Sequence, residues 1–100
     1  GFYEWTKDAR KQKYRFRLPK QKALYMAGLW TMGEGGGRFA IVTTAANASM
    51  REVHHRMPVI LGEEEIDDWL FDPAAAAEIL QLIPPELEKT AVDAEQMRLW

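Results

Sequence analysis

ALYMAGLW (residues 23–30) and FAIVTT (residues 39–44), with GEGGG (33–37) between them, decide the architecture. Both are nearly continuous apolar runs, which suits strands buried on both faces. Gly28 interrupts the first and predicts a bulge or a close backbone approach. GEGGG lacks the lysine and the strand–helix setting of a phosphate-binding loop, so it reads as a long hairpin turn.

Upstream, YRFRL (14–18) alternates apolar and basic residues. This period of two predicts a strand with Tyr14, Phe16 and Leu18 inward and Arg15 and Arg17 outward, stopped by Pro19. Residues 2–5 read as a short aromatic strand, and TKDARKQK (6–13) as its polar connection. Downstream, 45–54 has helix-favouring composition, MPVIL (57–61) reads as a strand, and EEEIDDWLF (63–71) as an acid-led helix with Ile66, Trp69 and Leu70 on one face. Asp72-Pro73 provides a cap and a first-turn proline for a second helix to Ile83. LEKTAV (87–92) is a candidate last strand, and 93–100 receives no assignment. Strands first and short helices later, without βαβ alternation, predict an α+β fold on a mainly antiparallel sheet.

One hundred residues amount to one small domain or a piece of one. There is no cysteine, which excludes disulfides, thiolate metal sites and a cysteine nucleophile within this sequence. No secretory signal or membrane-length apolar run is evident, so a cytoplasmic location is expected, nucleoid-associated if bacterial. Residues 1–22 hold eight basic side chains against two acidic ones, while the rest of the chain is acidic. Basic residues interleaved with Tyr3, Trp5, Tyr14 and Phe16 suggest a nucleic-acid footprint; a solvated basic hairpin is the plainer alternative.

Two places hold candidate chemistry. Glu4 sits among Phe2, Tyr3 and Trp5 in GFYEW, where a desolvated acid can move protons. His54 and His55 are the only histidines. In an extended segment neighbours point to opposite sides, so no metal site is expected of them, and one should face inward. An inward histidine is the best proton shuttle available.

Taken in order, GFYEW, AGLW, IVTTAAN, HHRMPVIL and a short acidic helix ending in WL resemble the SOS response-associated peptidase (SRAP) family, whose members sense abasic sites in single-stranded DNA. The resemblance runs from Gly1 to about Leu70, and it implies that the antiparallel sheet is a curved sheet or partial barrel with short flanking helices, incomplete here. It implies that Glu4 and His54 are catalytic, that Arg56 contacts DNA phosphate, that Thr43 lies near the same backbone and that Trp5 helps shape the groove. His55 falls where the family often has aspartate and is not expected to be catalytic. No cofactor or metal is implied. The implied partner is single-stranded DNA with abasic sites, met by a monomer when the domain is complete.

The family's nucleophile is an N-terminal cysteine, exposed when the initiator methionine is removed. It captures the aldehyde of a ring-opened abasic sugar as a thiazolidine. The lack of cysteine here is read as truncation, residues 1–100 being a partial SRAP-like domain, with a natural variant as the alternative. The resemblance implies DNA crosslinking and self-processing by the intact protein. A non-covalent single-strand-binding module is the competing function.

Overall fold

The computed structural model describes residues 1–92. Its strands are β1 (Phe2–Trp5), β2 (Lys13–Arg17), β3 (Tyr25–Met26), β4 (Gly28–Gly33), β5 (Gly36–Ile41), β6 (Thr43–Ala45), β7 (Arg56–Pro58), β8 (Ile60–Leu61) and β9 (Glu88–Val92). The helices α1 (Ile66–Phe71) and α2 (Pro73–Ile79) lie between β8 and β9. The fold is α+β with antiparallel pairing throughout, and its strands do not close into a barrel.

The alternation in YRFRL works as expected. Phe16 is fully buried, while Arg15 and Arg17 are exposed. Strand β2 lies between β1 and β9, with Phe2 opposite Phe16 and Lys13 opposite Val92. Phe16 stacks on Phe2 with ring centroids 5.4 Å apart. It joins Ala46, Met50, Val53, Met57, Ile60 and Leu87 in the larger core, against which Phe2, Tyr14, Leu18 and Leu24 pack. Burying a side chain of this size contributes about 1.5–3 kcal/mol, which makes this cluster the main anchor of the sheet.

The two apolar runs behave differently from the expectation of strands buried on both faces. Each breaks at one residue, Ala27 and Val42, and 56–61 breaks likewise at Val59. These three residues form a closed ring of backbone hydrogen bonds. Ala27 N–H donates to Val59 O, Val59 N–H to Val42 O, and Val42 N–H to Ala27 O, each at 2.9 Å. At this junction three chain segments exchange partners: β3 pairs with β8, β4 with β5, and β6 with β7. Ala27 is fully buried there, and with Val59, Leu61 and Ile79 it forms a second core under Ile66 and Trp69.

Beyond the junction, β4 and β5 project as an exposed hairpin. Trp30 pairs with Phe39, and they are 67% and 78% exposed. The turn is tight: Gly33 pairs with Gly36, leaving Glu34 and Gly35 to reverse the chain. Gly35 takes φ +88°, which a glycine adopts without steric cost. Trp30 lies across Gly37 so closely that a Cβ there would stand 2.9 Å from its Nε1.

Residues 48–53 form successive turns rather than the expected helix over 45–54. Asn47 explains the departure. Its Oδ1 accepts from Ser49 N–H and Oγ, and its Nδ2 donates to Pro84 O and Pro85 O at 2.9 Å. An asparagine bonding its own backbone in this way favours turns over helix. A short 3-10 turn at Glu63–Glu65 leads into α1. Asp72 caps α2 by accepting from Ala74 N–H and Ala75 N–H, as expected, but α2 ends at Ile79 rather than Ile83. Strand β9 fulfils the expectation for LEKTAV. The unassigned tail, 93–100, lies outside the described residues.

Candidate nucleic-acid interface and acid–base site

Strand β7 leaves the three-way junction alongside β6, and this pairing builds the first part of the site. Thr43 is registered with Pro58, and Ala45 with Arg56. The Arg56 side chain reaches along β6 to Thr43. Its Nη2 donates to Thr43 O at 2.8 Å and to Thr43 Oγ1 at 3.1 Å, and its Nε to the same hydroxyl at 3.4 Å. A long cation on an exposed strand is thereby held in one orientation. Among the described residues Nη1 has no protein partner, so a fixed guanidinium edge faces solvent. The remaining Nη1 can donate to a phosphate oxygen while the other two nitrogens stay on Thr43.

His54 lies just before β7 and is half-buried. Its Nδ1 is 3.1 Å from Arg56 N and 3.2 Å from Arg56 O. When Nδ1 is bare it accepts the Arg56 N–H, and the neutral ring carries its proton on Nε2. When Nδ1 is protonated it donates to the Arg56 carbonyl instead. The ring thus has a partner in both protonation states without turning over, which suits a proton-transfer group.

His55 does not point away from His54. The two rings stack with centroids 4.8 Å apart and planes 15° from parallel. They lie outside any strand, so the alternation expected of an extended segment does not apply. The Lys7 ammonium is the foremost influence holding the His55 imidazole below its ordinary pKa, with desolvation, His54 and Arg56 acting in the same direction.

Glu4 sits in β1 opposite Tyr14 and shares a sheet face with Phe2 and Phe16. That face packs on Val53 and Met57, the residues that flank the His54–Arg56 segment. Glu4 accepts from Trp5 N–H at 3.2 Å. Tyr3 and Trp5 project from the other face, so Glu4 is flanked by Phe2 and Tyr14 rather than ringed by all its aromatic neighbours. Among the described residues no hydrogen bond or ion pair joins Glu4 to His54; the connection between them is the packed core. Trp5 and Tyr3 stand about half exposed, with Lys13 Nζ 5.3 Å and 4.2 Å from their ring centroids. No cluster of acids and histidines suited to a metal occurs among the described residues, and no helix there is long and apolar enough to cross a membrane.

Comparison with known proteins gives this arrangement a context. Residues 1–98 match the family model for SOS response associated peptidase (SRAP). The abasic site processing protein YoqW of Bacillus subtilis is 32% identical over 97% of the chain and 46% of its own length. The abasic site processing protein HMCES of Gallus gallus is 33% identical over 85% of the chain and 33% of its own length. A solved structure from Bordetella bronchiseptica, 29% identical, superposes with a TM-score of 0.76 over 92% of the chain and 51% of its own. Another, from Bacteroides thetaiotaomicron, shares the fold with a TM-score of 0.79 at 24% identity, over 98% of the chain and 48% of its own. The chain spans less than half the length of these curated relatives. The match over nearly every residue, on the same fold, shows that this chain belongs to the SOS response-associated peptidase family.

Proposed function

We propose that this chain is the part of an abasic-site processing protein that holds single-stranded DNA and supplies its acid–base groups. The observation that carries this reading is the Arg56–Thr43–His54 arrangement in a chain whose curated relatives are named for abasic-site processing. Arg56 and Thr43 hold a backbone phosphate, which positions the strand without reading its sequence. A nucleotide without a base is easily unstacked and fits a site that rejects intact ones.

Abasic sugars exist mainly as closed hemiacetals. Opening one requires removal of the anomeric hydroxyl proton and delivery of a proton to the ring oxygen, and Glu4 and His54 supply those two roles. In the intact protein the exposed aldehyde condenses with an N-terminal amine, releasing water, and a cysteine thiol adds to the resulting imine to close a thiazolidine. This sequence has no cysteine, so residues 1–100 are expected to bind without crosslinking. Removal of an initiator methionine likewise belongs to the intact protein.

The exposed strip of Tyr3, Trp5 and Lys13 favours a second reading, a non-covalent single-strand-binding module that stacks bases. One experiment separates the two. An intact protein with an N-terminal cysteine is incubated with single-stranded DNA carrying one abasic site, then denatured. A denaturant-resistant complex, reduced about 100-fold in formation rate by Glu4→Gln or His54→Gln, supports the first. No such complex, with reversible binding retained, supports the second.

A further inference from the structure

We propose that the apolar face of the β4–β5 hairpin, together with the groove at its foot, is the contact surface for a second copy of this chain. It does not depend on the DNA reading above. Strands β4 and β5 carry Trp30, Met32, Phe39 and Ile41 on one face, through the pairings Gly28–Ile41, Trp30–Phe39 and Met32–Gly37. The opposite face holds Thr31 and Arg38 beside Leu29 and Ala40, so only the first is uniformly apolar.

That face continues into a groove of about 550 Å³. Phe39 and Ile41 line it from the hairpin, Trp69 and Leu70 from α1, and Tyr25 and Leu61 from β3 and β8. Trp69 Nε1 donates to Gly28 O at 3.1 Å, which fixes α1 against the base of β4. Among the described residues no charged side chain lines the groove. Nearer the turn, Trp30 lies across Gly37 in the space a side chain there would fill. The indole is thereby held in place as a ridge, while most of it still meets solvent.

A ridge and a groove on one patch are what a two-fold contact needs, because each copy must supply both partners. With two hairpins face to face and antiparallel, the Trp30–Met32 end of each lies over the groove of the other. The area is sufficient. A buried aromatic side chain accounts for about 150–250 Å², so Trp30 and Phe39 leave about 300 Å² open between them. Met32, Ile41 and Leu70, exposed by 65%, 46% and 61%, bring this to about 600 Å² per copy. Two copies would bury about 1,200 Å², the size at which specific interfaces begin. Neither half of the patch carries a charge, so a two-fold contact brings no like charges together. A strongly charged partner would find nothing to pair with here, whereas a second copy presents the same apolar face.

The test is sedimentation equilibrium of residues 1–100 from about 1 µM to about 300 µM, a range that brackets the micromolar affinity expected of so small an interface. The expected result is a monomer–dimer equilibrium that stops at the dimer. Phe39→Glu should weaken dimerisation about 100-fold or more, because each dimer then buries two unpaired carboxylates. Its circular dichroism in dilute solution should match that of the unmodified chain, since little packs on Phe39 in the monomer. Leu70→Glu, on α1 in the groove, should weaken dimerisation comparably. Arg38→Glu, on the opposite face of the hairpin, controls for added acid and should leave the equilibrium unchanged. A chain that stays monomeric throughout leaves the face to a different occupant and overturns the proposal. Growth beyond the dimer overturns it too, as does a dimer indifferent to Phe39→Glu or to Leu70→Glu.

Discussion

The β1–β2 ribbon and the β4–β5 hairpin are both antiparallel pairs rich in aromatic residues, yet they live in different surroundings. Phe16 on β2 is fully buried, whereas Phe39 on β5 is 78% exposed. The ribbon has β9 on one edge and the Met50–Met57 region under one face. The hairpin has neither, although Trp30, Met32, Phe39 and Ile41 share one of its faces through the pairings Gly28–Ile41, Trp30–Phe39 and Met32–Gly37. Apolar content therefore says that a strand wants a partner layer, and only the rest of the fold says whether it has one. The proposed site residues follow the packed region: Glu4 comes from the ribbon, and His54 and Arg56 from the segment beneath.

The largest test of this contrast is a pair of substitutions. Phe16→Ala should destabilise the chain by about 3–5 kcal/mol in urea unfolding, because it empties a packed position and strands Phe2. Phe39→Ala should change stability by about 0.5 kcal/mol or less, since little is packed on it. Equal costs would show that the hairpin is covered in solution. Next in size is Asn47→Ala. It removes a buried amide that ties 47–49 to the part-buried Pro84 and Pro85 carbonyls and holds Ser49, for an expected loss of about 1–3 kcal/mol. It should loosen β9 more than the hairpin, as hydrogen exchange at Thr90 and at Trp30 would reveal.

The smallest effect concerns the turn at Asp8. The Thr6 hydroxyl, and then the Arg10 and Lys11 amides, hold the Asp8 carboxyl below its ordinary value of 3.8 despite opposing desolvation. The stabilisation is therefore present above pH 3.8 and is lost as pH falls through the lower folded value. Asp8→Asn should abolish that acid dependence, as urea unfolding between pH 2 and pH 6 would show. Unchanged chemical shifts for residues 6–12 in this variant would show that the turn holds itself without the carboxylate.

The ribbon was legible in the sequence because a period of two identifies both a strand and its inward face. Phe16 in, Arg15 and Arg17 out, needed nothing from elsewhere in the chain. The cap at Asp72 was legible for the same reason, since its partners lie two and three residues away. The ring of Ala27, Val42 and Val59 was not, because hydrogen bonds among three distant residues leave no local pattern. That ring is what divides 23–30 and 39–44 and sends the hairpin outward. The stacked histidines were misjudged by treating HHR as extended. The motifs behind the proposed site were readable as a resemblance, but the Thr43–Arg56 hydrogen bonds required the register of β6 against β7.

Strand order also has a kinetic side. Strand β2 meets β1 across one short turn but meets β9 only across most of the chain. The first pairing can form within microseconds as a nascent hairpin, while the second must wait until the intervening segments have found their places. The three-stranded sheet is thus finished last by its final strand. A free peptide copying residues 86–92, added during refolding, would compete for the vacant edge of β2 and trap the chain one strand short.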